Sequence, residues 1–257
     1  MSKKSAREAL RAERARQAAE ARRRENRLRL LIALVVVVVV VAIAGVVQWQ
    51  RSKVDSGSDV PAGVAHGYTR NVQERAKPVG MGNGIAIGKE NAPVTVEVFE
   101  DFLCPHCRDF EAAVSDYLKE QVDSGKVRVV YYPVTLSSFG RPTELAANAF
   151  ACAADAGKGP ELHDALYTNF RQDWTVDLLT ELGSSVGLSD GSFRSCVRRG
   201  KFEEWVRSID QTATDRGVTG TPTVFVNGGE PLQPQDMTAP GLRLVIDDAL
   251  AKRSGRE

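Results

Sequence analysis

The sequence has almost no net charge, few metal-binding side chains and no repeats. Its 34 basic residues nearly cancel 33 acidic residues, so the overall charge indicates no class of partner. The three histidines and four cysteines form only one Cys-x-x-Cys motif and no paired-histidine motif, which leaves no complete tetrahedral zinc shell. His66 and His163 stand apart from that motif and are expected to be surface or core residues. Apart from an Ala-, Arg- and Glu-rich leader, there is no low-complexity tract and no internal repeat.

The charge that is present is concentrated at the N-terminus. Residues 1–29 carry eleven Lys or Arg against four Glu, and Leu30 to Val47 is a run of eighteen residues without a polar side chain. Eighteen helical residues extend for about 27 Å, which is enough to cross a hydrocarbon core. Because positive charge stays on the cytoplasmic side, we expect a cytoplasmic tail over 1–29, a single transmembrane helix over 30–47 and an extracytoplasmic remainder.

Two other interpretations of this N-terminus are open. Ala42, Ala44 and Gly45 fit a signal-peptide cleavage site, but the apolar run continues past them and the leader is long for a signal peptide. In both cases the domain is exported, and only tethering differs. The basic leader could also be a nucleic-acid arm, although contact with anionic lipid explains it more simply beside a membrane span.

The rest of the chain divides into a linker and one folded domain of the α/β class. Residues 48–84 are mostly small and polar and predict a linker, and the domain is expected over 85–251. Strand signals at 95–99 and 127–132 flank a stretch with helical periodicity, which is a βαβ pattern. Four further elements are predicted from composition and periodicity: a helical region over about 143–216, a strand over 223–226, a hairpin-type turn over 227–229 and a final helix over 240–251.

The motif Cys104-Pro105-His106-Cys107 lies where the first strand gives way to the helix. Cysteines three apart in the first helical turn can form and break a disulfide with little backbone movement. The unpaired N–H groups and the dipole of the helix start stabilise a thiolate at Cys104, and His106 adds a donor and possible positive charge. Pro105 suits the first turn because its missing N–H costs nothing there. A stabilised thiolate is a good leaving group, so the motif predicts an oxidant of other thiols. A structural bridge across so short a loop would stabilise little, and half a metal site lacks its remaining ligands.

These residues resemble the active site of the DsbA-like thiol oxidases. The resemblance rests on Cys104–Cys107 after Phe99-Glu100-Asp101-Phe102-Leu103, and on Gly217-Val218-Thr219-Gly220-Thr221-Pro222-Thr223 before a strand. It implies a thioredoxin fold with an inserted helical domain, which accounts for the 118 positions between Cys104 and Pro222. It also implies that Pro222 is cis beside the disulfide and that Thr221 offers backbone hydrogen bonds to an extended substrate.

The other two cysteines lie in the predicted helical region. Four cysteines allow three pairings. We expect Cys152 to bond to Cys196, because the arrangement resembles that of some relatives. Two buried free cysteines are the alternative.

One position departs from the resemblance. Many relatives carry a buried acid six residues before the first cysteine, and Val98 stands there. Strand alternation puts Glu97 on the opposite face and Glu100 on the face of Val98. Glu100 and water are the two alternatives for this role, which the sequence leaves unassigned.

The sequence therefore predicts a membrane-anchored disulfide donor that uses cysteine chemistry without a bound cofactor or metal. Its expected partners are exported proteins with reduced cysteines, its own membrane through the anchor, and a membrane quinone reductase of the DsbB or vitamin K epoxide reductase-like type that reoxidises it. No nucleic-acid partner is expected. The alternatives are a disulfide reductase or isomerase of the same fold, and a tethered metal-handling or binding protein.

Overall fold

The computed structural model describes residues 59–61 and 81–254, so the basic tail, the predicted span over 30–47 and most of the predicted linker lie outside the described residues. None of the helices within the described ranges is both long and apolar enough to cross a bilayer.

A four-stranded mixed sheet forms the centre of the domain. Its strands are β1 (Ile85–Ile87), β2 (Val94–Glu100), β3 (Val127–Pro133) and β4 (Thr223–Val226), arranged in the order β1-β3-β2-β4. β2 runs parallel to β3, as the βαβ pattern predicts, and antiparallel to β4. Every residue of β2 is buried, which is expected for a central strand with both faces covered.

Seven α-helices complete the described part of the chain. They are α1 (Pro105–Asp123), α2 (Arg141–Asp155), α3 (Gly159–Thr168), α4 (Val176–Ser185), α5 (Gly191–Arg199), α6 (Glu203–Asp215) and α7 (Ala239–Ser254). α1 is the crossover between β2 and β3, and α2 to α6 form the helical insertion. The helical region predicted over about 143–216 is present as α2 to α6, and the final helix begins one residue earlier and ends three residues later than predicted.

Two features of the sheet differ from the prediction. β1 is an unpredicted edge strand of three residues, which pairs antiparallel with β3 and is too short to give a sequence pattern. The turn after β4 is present, with positive φ at Asn227 and Gly228, but the chain then makes only one isolated bridge between Phe225 and Pro231. Asn227 instead binds β2, where its side-chain oxygen accepts a hydrogen bond from the Thr95 N–H at 2.8 Å.

Candidate active site

Cys104 lies at the junction between β2 and α1. It is the residue that precedes the first helical turn, and Pro105 occupies that turn, as the sequence predicts. The side chains of Cys104 and Cys107 are free thiols that are 5% and 0% exposed. The two cysteines therefore differ in access, because only Cys104 has a residual opening to solvent.

Electrostatics separates the two thiols further. A hydrogen bond from the Cys107 thiol is the main cause that lowers the pKa of Cys104 to about 5, and the backbone N–H groups of His106 and Cys107 act in the same direction against burial. Burial is the main cause that raises the pKa of Cys107, and the negative charges of Cys104 and Glu100 add to it. Cys104 is consequently a thiolate at neutral pH, while Cys107 holds its proton.

The loop before β4 forms the other wall beside Cys104. The Thr221–Pro222 peptide bond is cis, as the resemblance implies, and the Cys104 sulfur lies 3.5 Å from the carbonyl oxygen of Thr221. β4 pairs with β2, so the sheet fixes this loop beside the end of the strand that leads to Cys104. The binding of an extended substrate by Thr221 remains a prediction.

The two residues between the cysteines point outward. Pro105 and His106 are both exposed, and His106 acts on the Cys104 sulfur through its backbone N–H. The sequence predicted that the His106 imidazole acts as a donor or positive charge beside that sulfur. The imidazole is not among the main causes that lower the Cys104 pKa.

Asp101 organises the approach to the motif and was not predicted as a site residue. Its buried carboxylate accepts hydrogen bonds from the N–H of Leu103 at 2.8 Å, the N–H of Leu136 at 2.8 Å and the hydroxyl of Thr143 at 2.9 Å. Burial is the main cause that raises its pKa to about 6. The sequence did contain a signal for this role, because Asp101 directly follows a buried strand and precedes the motif. Carboxylates in such loops commonly bind nearby backbone N–H groups.

Behind Cys107 lies a group of buried ionisable side chains, which we call the acid–base cluster: Glu100 on β2, Glu111 on α1 and His163 on α3. His163 Nε2 is 2.7 Å from Glu100 Oε1, and the three side chains are at most 3% exposed. His163 is thus a core residue, one of the two environments expected for it, but it is not isolated. Val98 is fully buried. Glu97 lies on the opposite face of β2, as strand alternation predicts, and it forms an ion pair with Arg216.

The acid–base cluster is also the only set within the described residues that brings three possible metal-ligating atoms together, within 4.8 Å of one another. However, the imidazole nitrogen is at hydrogen-bonding distance from a Glu100 oxygen, which is closer than two ligands of one cation normally approach. We therefore describe this group as hydrogen-bonded acids and a base.

A disulfide joins the remaining cysteines, in the pairing expected from the sequence. Cys152 on α2 is bonded to Cys196 on α5, with 6.0 Å between their Cα atoms. The bridge links two helices of the insertion and lies apart in sequence from the Cys104 motif.

Comparisons with known proteins agree with this geometry. A family model described as thioredoxin matches residues 81–248. The reduced DsbA structure from Mycobacterium tuberculosis has a TM-score of 0.51 and 27% identity, over 66% of this chain and 98% of that chain. The chain therefore belongs to the thioredoxin family. Within the family, its site resembles that of the DsbA-like thiol:disulfide oxidoreductases.

Two curated relatives match different shares of their own length. The probable disulfide bond formation protein D of Bacillus cereus is 31% identical over 152 residues, which cover 56% of this chain and 69% of that protein. The Na(+)/H(+) antiporter NhaA 3 of Salinispora tropica is 30% identical over 198 residues, which cover 74% of this chain but 29% of the antiporter. The chain thus spans less than a third of that antiporter, whose transport activity belongs to that protein.

Proposed function

We propose that this chain is an extracytoplasmic thiol:disulfide oxidoreductase that donates its Cys104–Cys107 disulfide to exported proteins. The observation that carries the proposal is the opposite perturbation of the two thiols, which lowers the pKa of Cys104 and raises that of Cys107. A substrate thiolate attacks the Cys104 sulfur, the Cys104–Cys107 bond breaks, and Cys107 leaves as a thiol after taking a proton. A second substrate thiolate then attacks the mixed disulfide, so that the substrate becomes oxidised and Cys104 leaves as a thiolate.

The oxidising direction follows from the stability of the Cys104 thiolate. A thiolate favoured by its surroundings leaves the mixed disulfide readily and makes the reduced enzyme more stable than the oxidised enzyme. The same electrostatics disfavours the reverse cycle, in which the enzyme would reduce substrate disulfides.

The proposed location and partners of the chain are supported by its N-terminal sequence and by the disulfide of the helical insertion. The basic 1–29 segment and the apolar 30–47 run support a membrane anchor with the domain outside. The Cys152–Cys196 disulfide supports an oxidising compartment, since disulfides are rare in the cytosol. Reoxidation of Cys104 and Cys107 needs an electron acceptor, for which we propose a membrane quinone reductase of the DsbB or vitamin K epoxide reductase-like type.

Oxidative refolding of a reduced multi-cysteine protein tests the activity. The full chain should accelerate disulfide formation in a glutathione buffer, and Cys104→Ser should abolish the acceleration, while a matched Asp109→Ser change on the exposed side of α1 should not. Equal refolding rates with the native chain and Cys104→Ser would contradict the assignment.

A redox titration against glutathione tests the direction. We expect a potential closer to the value of about −120 mV typical of a strong oxidant than to the value of about −270 mV typical of thioredoxin. A value near the thioredoxin end would favour the reductase alternative. Labelling of Cys104 in intact cells by a membrane-impermeant maleimide, after a membrane-impermeant reductant has opened the Cys104–Cys107 disulfide, tests the location, since a cytoplasmic domain would be protected.

A further inference from the structure

The position of Cys104 depends on the peptide bond that joins it to Leu103. Cys104 precedes the first turn of α1 and has an extended backbone, so its own N–H and the Leu103 carbonyl lie outside the hydrogen bonds of the helix. Both groups nevertheless have partners. The Cys104 N–H donates to the backbone carbonyl of Asp101 at 2.9 Å, and the side-chain amide of Gln172 donates to the Leu103 carbonyl at 3.0 Å. This peptide unit is therefore bound at both of its edges.

Gln172 reaches this carbonyl from a distant part of the chain. It lies 69 positions after Leu103, in the segment 169–175 that we call the α3–α4 loop and that belongs to the helical insertion. Leu103 is fully buried and Gln172 is exposed, and this is the only hydrogen bond of the Gln172 side chain within the described residues. An exposed amide has water as an alternative partner. Its bond to a carbonyl beside the reactive cysteine therefore distinguishes Gln172 from the other exposed residues of the loop.

The α3–α4 loop is itself fixed to the domain. The guanidinium carbon of Arg108, near the start of α1, lies 4.9 Å from the centre of the Phe170 ring. Trp174 is 3% exposed and anchors the other end of the loop in the core, and the guanidinium of Arg171 lies 5.5 Å from the centre of its ring. These contacts hold the loop on both sides of Gln172, so the amide has a defined place before any substrate binds.

The bond to Gln172 limits how the Cys104 side chain can be oriented. With only its N–H held by Asp101, the peptide unit before Cys104 could still tilt about that one bond. A second bond at the carbonyl removes this freedom, because the peptide unit is planar and is then held at two edges. The direction of the Cys104 Cα–Cβ bond follows from that plane. It places the sulfur 3.5 Å from the Thr221 carbonyl oxygen and within reach of the N–H groups at the start of α1.

We propose that Gln172 is a positioning residue for thiol–disulfide exchange, because its amide holds the Leu103 carbonyl and so fixes the Cys104 sulfur. The inference rests on the proposed function, since it concerns the sulfur that the substrate attacks. Gln172 takes up no proton and no electron. The bonds that form and break are those between the substrate, Cys104 and Cys107, and Gln172 changes only the rate of the exchange. The helical insertion thus contributes to the geometry of the reactive sulfur.

The first test removes the donor and measures the ionisation of Cys104. Gln172→Met keeps the length of the side chain but cannot donate a hydrogen bond. Gln172 is not among the main causes of the low Cys104 pKa, so a change in that pKa must come through the position of the sulfur. We expect the midpoint of the thiolate absorbance to rise by about one unit, which corresponds to the loss of one hydrogen bond to the thiolate. Gln211→Met is the matched control and should leave the midpoint unchanged, because the exposed Gln211 amide bonds within α6, to Asp215 at 2.7 Å.

The second test follows the opening of the Cys104–Cys107 disulfide of the full chain by a cysteine-containing peptide at neutral pH. Gln172→Met should slow the opening by about tenfold. A displacement of about 1 Å in a reacting group can cost about 100-fold, and here Asp101 still holds one edge of the peptide unit. A similar slowing is expected with glutathione in place of the peptide, because the position of the sulfur matters to both thiols. Gln211→Met should react at the native rate with both.

Gln172→Glu adds a rescue by pH. A protonated carboxyl group can donate to the Leu103 carbonyl, and an ionised carboxylate cannot. With the ordinary Glu pKa of about 4.3, this variant should open at the native rate near pH 3.5 and about tenfold more slowly than the native chain near pH 7. Rates are compared as native-to-variant ratios in about 1 M salt, which screens repulsion between the carboxylate and the attacking thiolate. Because one molecule is compared at two pH values, this variant still decides if Gln172→Met folds poorly.

Three outcomes overturn the inference. A native titration and native rates in both Gln172 variants would show that other contacts hold Cys104. A lower stability to urea with native titration and rates would show a structural role alone. Slowing with the peptide but not with glutathione would show that Gln172 contacts the substrate instead of positioning the sulfur. A native chain that exchanges no disulfide contradicts the proposed function, and the Cys104 titration, which needs no substrate, then still decides whether Gln172 positions the sulfur.

Discussion

The carbonyl oxygen of Thr221 lies 3.5 Å from the Cys104 sulfur, although 117 positions separate the two residues. The contact depends on the antiparallel pairing of β4 with β2, which sets Thr223 opposite Phe99 and so brings the two loops to the same edge of the sheet. One side of Cys104 therefore faces the backbone of the Thr221 loop, and the other side faces the start of α1. The reactive sulfur is therefore positioned by elements that are distant in sequence and adjacent in the sheet.

The ionisation of Cys104 should depend on Cys107. Cys107→Ala removes the hydrogen bond that is the main cause of the low Cys104 pKa, so the pKa should rise from about 5 toward the ordinary thiol value of about 8.5. Thiolate absorbance at 240 nm across a pH series measures this. Cys107→Ser is the matched control, because its hydroxyl can still donate and should give a smaller rise. A titration near pH 5 in Cys107→Ala would mean that Thr221 and the helix N-terminus set the value without the Cys107 thiol.

The reduced protein should gain stability over the oxidised protein as pH rises from 5 to about 8. In this interval the unfolded Cys104 thiol, with a pKa of about 8.5, binds more protons than the folded thiol, with a pKa of about 5. Stability increases with pH wherever the unfolded state binds more protons. The difference in free energy of unfolding between the two redox forms should thus be independent of pH well below pH 5 and should shift in favour of the reduced form above it.

Urea unfolding of both redox forms at several pH values measures that difference. The oxidised form is the internal control, because Glu111, His163 and Asp101 titrate in both forms and largely cancel. Above about pH 8.5 the trend should reverse, since folding keeps the proton on Cys107 while the unfolded thiol loses it. A difference that does not vary between pH 5 and 8 would contradict the assigned Cys104 ionisation.

Asp101→Ala should destabilise the domain and disturb the motif. The change leaves the backbone N–H groups of the buried Leu103 and the half-buried Leu136 without their acceptor, and each such loss costs about 1–3 kcal/mol where the group is kept from water. We expect a loss of about 3 kcal/mol or more in urea unfolding. Thr143→Val removes only the hydroxyl bond to Asp101 and should cost about 1 kcal/mol. Equal effects of the two changes would show that the Asp101 carboxylate does not organise the loop.

The local part of the site could be predicted from the sequence, because it depends on short separations. The change from strand to helix periodicity places Cys104 at the start of a helix, and Pro105 fits the first turn. The cis bond before Pro222 was predicted only through a family resemblance, and the Cys152–Cys196 pairing partly so. No local pattern specifies which distant segment the Cys104 sulfur faces.

The acid–base cluster shows why the rest could not be predicted in full. Glu100 and His163 are 63 positions apart and meet only because α3 packs against the sheet. Glu111 did give a signal, since it follows Phe110 and precedes Val114 by three residues, which puts it on the buried face of α1. An acid on an apolar helix face was therefore visible, but its partners were not.

The Cys152–Cys196 disulfide should contribute stability without affecting the reactive centre. Its loop of 44 positions corresponds to about 4 kcal/mol in the chain-entropy model. The double variant Cys152→Ala, Cys196→Ala should therefore unfold at markedly lower urea concentration, by up to that amount. Neither cysteine is among the causes that set the Cys104 pKa, so the thiolate should still titrate near pH 5.

Each single variant is a less suitable control, because the remaining thiol can exchange with Cys104. A double variant as stable as the native chain would mean that helix packing alone holds the insertion, and a shifted Cys104 titration would mean that the insertion shapes the electrostatics of the motif.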